Sequence, residues 1–210
     1  MVRQNRDTFL DHLAHRLGRP RRMEGVQRPT WSVQPQWDVF KDYTQDELVD
    51  ILEKQCQVIH TDFKRTNRTQ LAKVLKETID DFARKSIVIS QDKRLPEYGL
   101  DHFFSKLQDT GIDVHIWDPN LGKENQVIAE KADVGITFSD ITLAESGTVT
   151  LFNHQNHGRT ISLLPKTYIA IIPKSTIVAR LSQATKRIHE AQQQSDVVAS
   201  CISFVTGPSN

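Results

Sequence analysis

The stretch Asp133-Val-Gly-Ile-Thr-Phe-Ser-Asp-Ile-Thr-Leu-Ala-Glu-Ser-Gly-Thr148 decides the fold. It opens with a short apolar run of strand type, residues 133–137, and continues into a turn rich in carboxylate and hydroxyl groups. In open parallel sheets, ligands bind beyond the carboxyl ends of the strands. The stretch therefore predicts a strand that leads directly into a candidate binding site.

Helical and strand-like segments alternate on both sides of this stretch. Short apolar runs predict strands at 86–90, 113–117, 133–137, 148–152, 168–172 and 201–205. Apolar residues at helical spacing predict helices over about 5–17, 67–84, 97–110, 122–131 and 176–192, with one more helix opening at Thr44. This alternation is typical of an α/β fold in which a mainly parallel sheet is flanked by helices.

The N-terminal part of the chain differs from the rest. The segment between the first helix and Thr44 shows no period, and it carries Trp31 and Trp37, which need somewhere to pack. Thr44-Gln-Asp-Glu47 is a capping-box signature. We therefore expect an N-terminal helix and extended arm over 1–43 and an α/β domain over 44–210. The arm with its tryptophans is a candidate partner-binding surface.

Composition excludes several classes of function. The 210 residues carry 27 basic and 26 acidic side chains, so a formal charge of +1 gives no argument for nucleic acid or an anionic membrane. The cluster Arg19, Arg21 and Arg22 is read as a solvated face. No apolar stretch is long enough to span a bilayer, and the N-terminus lacks an apolar signal core, so we expect a cytoplasmic protein.

The number and spacing of possible metal ligands argue against a metal ion or an iron–sulfur cluster held by this chain. Cys56 and Cys201 are too few for an iron–sulfur cluster or a four-thiolate zinc site. His154 and His157 could ligate a metal together with Glu145, but their spacing is not diagnostic. Nucleotide-binding glycine loops, the hydrolase nucleophile elbow and the zincin motif are all missing from the sequence. We predict no metal and no cofactor.

The Glu-Ser-Gly-Thr turn is the best candidate for chemistry. Glu145 could act as a base or nucleophile there, and the turn can hold a small anion. The alternative is a turn whose hydroxyls satisfy local backbone groups while Glu145 is solvated. Arg159 could grip a carboxylate in a bidentate way, or form an ion pair with Glu145 or Asp140. We expect one concave surface for a small carboxylate, with Glu145 catalytic and ligand contacts from Gly135, Asp140, Ser146, Gly147, Thr148, Arg159, Ser162, Gly207 and Ser209.

Several ordered motifs resemble those of the LUD-domain family. Asp133-Val-Gly-Ile-Thr137 followed by Ala144-Glu-Ser-Gly-Thr148 is similar to the family's "GIT … AETGT" signature. Further similar segments follow at matching spacing: Arg159-Thr-Ile-Ser-Leu-Leu-Pro165, Ile169-Ala-Ile-Ile172 with Ile177-Val178, and Thr206-Gly-Pro-Ser-Asn210. The resemblance covers about 44–210.

The resemblance implies a fold and a role. The family fold is similar to that of sugar-phosphate isomerases and CoA transferases, and CoA transferases use a glutamate, which adds interest to Glu145. The arm, with Leu17-Gly-Arg-Pro-Arg-Arg22 and Pro35-Gln-Trp37, resembles one branch of the family in particular. Members of that branch are encoded with two iron–sulfur partner proteins and serve growth on lactate. The resemblance thus implies a component of a system that oxidises L-lactate to pyruvate, with iron–sulfur subunits as partners and no cluster of its own.

Two departures from the family pattern bear on the site. Ser146 stands where the family usually has threonine, which keeps a hydroxyl. The family chain runs on past the "GPS" motif through an acidic segment and a further strand, whereas this sequence stops at Asn210, so we expect a domain shortened at its C-terminus. Whether the chain is itself an enzyme stays open: it is either an accessory subunit, or a stand-alone enzyme or sensor of small carboxylates or CoA-type ligands using the Glu145 turn.

Overall fold

The computed structural model describes residues 3–25, 30–82, 85–194, 199 and 201–207. Its helices are α1 Arg3–Arg16, α2 Gln45–Val58, α3 Leu71–Asp81, α4 Arg94–Glu97, α5 Leu100–Asp109, α6 Glu124–Lys131, α7 Thr160–Leu163 and α8 Leu181–Gln194. Its strands are β1 Ser86–Ile89, β2 Asp113–Ile116, β3 Val134–Phe138, β4 Ile141–Leu143, β5 Thr148–Asn153, β6 Thr167–Ile171, β7 Ile177–Val178 and β8 Cys201–Thr206.

The chain divides into two compact units, Met1–Pro35 and Gln36–Asn210. In the first unit, the segment after α1 folds back along the helix. Arg21 donates from Nη2 to Asp7 Oδ1 at 2.7 Å and from Nη1 to Asp11 Oδ1 at 3.2 Å. One arginine of the basic cluster is therefore engaged by carboxylates of its own unit.

In the second unit, four strands form a parallel sheet in the order β2-β1-β3-β6. Side chains alternate between its faces, so Ile87 and Ile89 join a core with α3 and α5, whereas Val88 joins Ala129 and Ile161 on the other side. Because helices cover both faces, β3 is buried along its whole length. The prediction of an α/β fold with a mainly parallel sheet flanked by helices is confirmed.

The remaining strands form a second sheet in the order β7-β4-β5-β8, in which only the β4–β7 pair is parallel. The prediction that 148–152 and 201–205 belong to the parallel sheet was therefore wrong. The turn after β4 reverses the chain, so β5 returns antiparallel along β4, and β8 pairs antiparallel with β5. The antiparallel course of β5 follows from the three-residue strand β4, which the sequence analysis does not predict.

The start of α2 is fixed by the capping box that the sequence predicts. The Thr44 side chain accepts a hydrogen bond from the Glu47 N–H at 3.3 Å, and the Thr44 N–H donates to Glu47 Oε2 at 2.7 Å. These bonds satisfy two backbone donors that the first helical turn leaves without partners.

Thr44→Ala should lower the free energy of unfolding by about 1 kcal/mol, because it removes the cap acceptor. Urea denaturation measures this loss. Thr185→Ala is the matched control: Thr185 lies exposed within α8, where alanine has the higher helix propensity, so that variant should not be less stable. Equal stability of Thr44→Ala and the wild type would contradict the role of the cap.

None of the helices in the described part of the chain could cross a membrane, since the longest have 14 residues and none is apolar enough.

Candidate functional site

The Glu145 turn lies at the tip of the β4–β5 hairpin, where β7 and the segment after it meet the hairpin. The backbone N–H groups of Ala144 and Glu145 donate to the carbonyls of Val178 at 2.9 Å and Ala179 at 3.1 Å. The next residue, Arg180, donates from Nε to Glu145 Oε2 at 2.7 Å. The Glu145 side chain is 40% exposed and that of Arg180 28%, so both charges are accessible to a ligand.

A chain of hydroxyl groups runs from this turn onto β8. Ser146 Oγ lies 2.7 Å from Thr148 Oγ1, which lies 2.6 Å from Thr206 Oγ1. The antiparallel register pairs Thr148 with Thr206 and so brings the hydroxyls together. Thr206 was not among the residues predicted from the sequence, because its neighbourhood depends on strand pairing.

Two glycines let the turn approach the end of α2 closely. A Cβ at Gly147, whose φ is +66°, would lie 2.6 Å from Ile59 Cδ1. A Cβ at Gly207 would lie 2.8 Å from the Ile59 carbonyl oxygen. Gly147 is favoured by its left-handed φ rather than by this contact, because the Ile59 side-chain end could move aside, whereas Gly207 must also admit a backbone oxygen. The structure thus brings together five of the predicted residues, namely Glu145, Ser146, Gly147, Thr148 and Gly207, whereas Ser209 lies outside the described residues.

Asp140 lies at the opposite end of β4, about 13 Å from Ala144 at ~3.3 Å per residue of strand. Its Oδ1 accepts from Arg94 Nη2 at 2.8 Å, and its Oδ2 accepts from the Phe152 N–H at 2.8 Å. Arg94 also donates to both carboxylate oxygens of Asp92, from Nε at 2.9 Å and Nη2 at 2.6 Å, and from Nη1 to the Ser139 carbonyl at 3.1 Å. Arg94 therefore clamps the carboxyl ends of β1 and β3 together.

His157 lies beside this clamp and is almost fully buried. Burial holds the pKa of His157 below its ordinary value, against the opposing charge of Asp140. Its Nε2 has no hydrogen-bond partner among the described residues. The loop that carries His157 is bonded to the residues that follow β1 and β2. The Gln91 N–H donates to the Asn156 carbonyl at 3.0 Å, and Trp117 Nε1 donates to the Gln155 carbonyl at 3.0 Å.

Besides Asp140, three further predicted ligand residues lie apart from the Glu145 turn. Gly135 is buried under α7, where a Cβ would overlap the backbone oxygen of Ile161. Ser162 is buried and donates from Oγ to the Arg159 carbonyl at 3.1 Å, and the Arg159 side chain is exposed. The ion pair of Arg159 with Glu145 or Asp140 does not form, because Arg180 and Arg94 occupy those carboxylates.

The Arg180 side chain keeps hydrogen-bond donors in reserve at the Glu145 turn. In the described part of the chain, the Arg180 side chain donates only through Nε, which leaves its terminal nitrogens for a ligand. A guanidinium edge next to hydroxyl groups suits bidentate recognition of a carboxylate. No group of three or more His, Cys, Asp or Glu side chains within the described ranges is arranged to hold a metal ion.

Arg94→Met should lower the free energy of unfolding by about 3 kcal/mol, because it leaves two partly buried carboxylates, Asp92 and Asp140, without their partner. The Arg94 and Asp92 side chains are only 19% and 11% exposed. The control is Lys73→Met, which removes an exposed ion pair with Glu77 and should cost below about 1 kcal/mol. Denaturant titration of both variants measures the difference.

The pH dependence of this loss gives a second check. Burial opposes ionisation of Asp92, but the hydrogen bonds and charge of Arg94 outweigh it and hold the pKa of Asp92 below its ordinary value. A depressed carboxyl pKa contributes stability above the unfolded value of about 4, which is lost as pH falls through the folded pKa. The difference between wild type and Arg94→Met should therefore shrink below about pH 4, and a constant difference would contradict the clamp.

Sequence comparison shows which known proteins this chain resembles. The family model of the LUD domain matches residues 49–210. A protein of Oceanobacillus iheyensis named Lactate utilization protein C is 58% identical, over 100% of this chain and 90% of its own length. One of the same name from Geobacillus kaustophilus is 51% identical, over 98% of this chain and 86% of its own length.

A solved structure supports the architecture. The chain is similar to a DUF162 family protein of Deinococcus radiodurans, with a TM-score of 0.59, 16% identity, and coverage of 79% of this chain and 90% of that one. That likeness shows the fold alone. The family model covers most of the sequence, and the two relatives at 58% and 51% identity cover nearly all of it, so this chain belongs to the LUD-domain family.

Proposed function

We propose that this protein serves lactate utilisation, as a component of the system that oxidises L-lactate to pyruvate together with iron–sulfur partner proteins. The observation that carries the proposal is the 58% identity, over the whole chain, to a Lactate utilization protein C. Close identity over full length preserves the fold and the residues of a site together. We further propose that it acts in the cytoplasm.

The proposal assigns the electron-accepting clusters to the partner proteins and the contacts with the substrate to this chain. Oxidation of lactate to pyruvate releases two electrons and two protons. An iron–sulfur cluster takes four thiolate ligands, whereas this chain has only Cys56 and Cys201, so the clusters that accept electrons belong to the partners. Glu145 can accept a proton, and Arg180 can hold the substrate carboxylate through its terminal nitrogens.

The chain has an N-terminal part and a larger domain in this proposal. We propose that residues 44–210 form the LUD-type domain and residues 1–43 an N-terminal extension that contributes to partner contacts. The capping box at Thr44 supports this boundary, because it gives α2 a defined beginning.

A second candidate is a stand-alone enzyme or sensor of small carboxylates or CoA-type ligands. The arrangement of Glu145, Arg180 and the hydroxyl chain favours it, since an accessible guanidinium can bind an anion without a partner protein. The two candidates differ in whether the isolated chain binds lactate or pyruvate and in whether it needs partners to act.

Deletion of the gene tests the first proposal. Loss of growth on L-lactate with unchanged growth on glucose, restored by the wild-type chain, is the expected result. The purified chain should also form a complex with the iron–sulfur proteins encoded with it. Normal growth of the deletion strain on lactate would refute a role in lactate oxidation. Turnover of a carboxylate by the isolated chain, with no complex formed, would favour the stand-alone enzyme.

A further inference from the structure

A tight turn of residues 154–157 lies against the residues that follow β1 and β2. Its two end residues are joined by a pair of backbone hydrogen bonds, of 3.3 and 2.9 Å. Two further hydrogen bonds attach the turn to the parallel sheet, one donated by the Gln91 N–H and one by Trp117 Nε1. The turn is therefore closed by its own backbone and joined to the sheet by few bonds. We call it the histidine turn.

The third attachment of the histidine turn is the buried imidazole of His157. The residue is 2% exposed, and its Nε2 has no hydrogen-bond partner among the described residues. The charged and titratable groups that act on it come from three segments. Asp92 and Arg94 follow β1, Asp140 follows β3, and His154 belongs to the turn itself. His157 thus joins the turn to the Arg94 clamp.

A proton added to His157 is poorly accommodated while the turn is closed. In the imidazolium both ring nitrogens carry hydrogen, so Nε2 becomes a buried donor without an acceptor among the described residues. Both oxygens of Asp140 already accept hydrogen bonds, from Arg94 and from the Phe152 N–H. Burial outweighs the attraction of the nearby carboxylates and holds the pKa of His157 below its ordinary value. Protonation therefore favours a state in which the imidazole reaches water.

We propose that the histidine turn is an acid-sensitive lid, closed against the Arg94 clamp while His157 is neutral and opened when His157 takes up a proton. Opening would expose the clamp at the carboxyl ends of β1 and β3, and open α/β sheets bind their ligands beyond such strand ends. This lid is separate from the Glu145 turn and operates whichever substrate that turn takes.

The open turn should be more populated at pH 5.5 than at pH 7.5. In the open state the pKa of His157 returns to its ordinary value of about 6.5, whereas the closed state takes up the proton only at lower pH. Between these two values the open state binds more protons. The stability of the closed turn is therefore complete above about pH 6.5 and is lost as pH falls toward the lower value. At pH 5.5 the opening constant should have risen by up to about tenfold.

Hydrogen exchange in the full chain, followed by NMR at pH 7.5 and 5.5, measures this opening. The reporters are the Gln91 amide and the Trp117 indole N–H, because both donate to the turn. Their protection factors, which are corrected for the effect of pH on the exchange chemistry, should fall several-fold at pH 5.5. The protection factor of the Ile136 amide in the central strand β3 should change less than about twofold, which distinguishes lid opening from global unfolding.

Two matched substitutions assign the effect to one histidine. His157→Gln keeps a polar side chain that does not titrate, so the reporters should be equally protected at both pH values. His154→Gln makes the same change at the exposed histidine of the same turn and should retain the fall. If His157→Gln leaves the turn open at pH 7.5, His157→Leu supplies a second side chain that does not titrate and has no polar atom to satisfy.

Three results would overturn the lid. The first is unchanged protection of both reporters in the wild type at pH 5.5. The second is a fall in protection that both His157→Gln and His157→Leu retain. The third is an equal fall at Ile136, because the whole domain would then open rather than the turn.

Discussion

Glu145→Gln should abolish growth on L-lactate as the sole carbon source while leaving the protein folded. Glutamine keeps the shape of the side chain but removes its charge and its capacity to accept a proton. The Glu145–Arg180 ion pair is partly exposed to solvent, and such pairs contribute only about 0.2–1 kcal/mol to folding. The loss of function should therefore occur with a melting temperature within a few degrees of the wild type, as measured by circular dichroism.

A matched variant makes this result specific. Glu97→Gln introduces the same change at an exposed glutamate that pairs with Arg68, far from the hairpin tip in sequence, and should grow normally. Glu145→Gln should also retain its complex with the iron–sulfur proteins, because the substitution keeps the shape of the side chain. Normal growth of the Glu145→Gln strain would rule out a role for this carboxylate in lactate oxidation.

The parallel sheet could be predicted because its signals are local. Each of β1, β2, β3 and β6 is a short apolar run, and the helices around them show apolar residues at helical spacing. The strand β4 escaped prediction because Ile141-Thr-Leu143 is only three residues long, with a polar residue at its centre. Missing it concealed the reversal of the chain and, with it, the second sheet.

The residues of the Glu145 turn could be predicted from the sequence, whereas their long-range partners could not. Glu145, Ser146, Gly147 and Thr148 are neighbours in sequence, so a turn in that stretch brings them together without further information. Arg180 and Thr206 reach the turn through β7 and β8, and these pairings connect residues 35 and 58 positions apart.

The ion-pair partners of Glu145 and Asp140 are not the arginine nearest to them in sequence. Arg159, the ion-pair partner that the sequence suggests, is exposed at the start of α7. The arginines that pair with the two predicted carboxylates are Arg180 and Arg94, from elements with no local link to them. Long-range ion pairs depend on strand order, and periodicity within single segments carries no information about that order.

Gly135→Ala should be strongly destabilising, with a loss of about 3 kcal/mol or more in the free energy of unfolding. Gly135 lies in the middle of β3, where α7 crosses the sheet. A Cβ there would overlap the Ile161 backbone oxygen and lie 2.9 Å from Pro165 Cγ. Because the main obstacle is backbone, no rotamer change relieves it, and α7 must move off the strand.

Two comparisons isolate this steric effect. Gly111→Ala is the matched control: nothing lies within 4 Å of its Cβ, so it bears only the backbone strain of a left-handed residue, about 1–2 kcal/mol. Pro165→Ala in the Gly135→Ala background should restore little stability, since it clears the smaller obstacle and leaves the Ile161 carbonyl in place. Equal stability of Gly135→Ala and the wild type in guanidinium denaturation would mean that α7 does not pack on β3. Gly135 would then be free to serve as the ligand contact that the sequence alone suggested, whereas a large loss assigns it to packing.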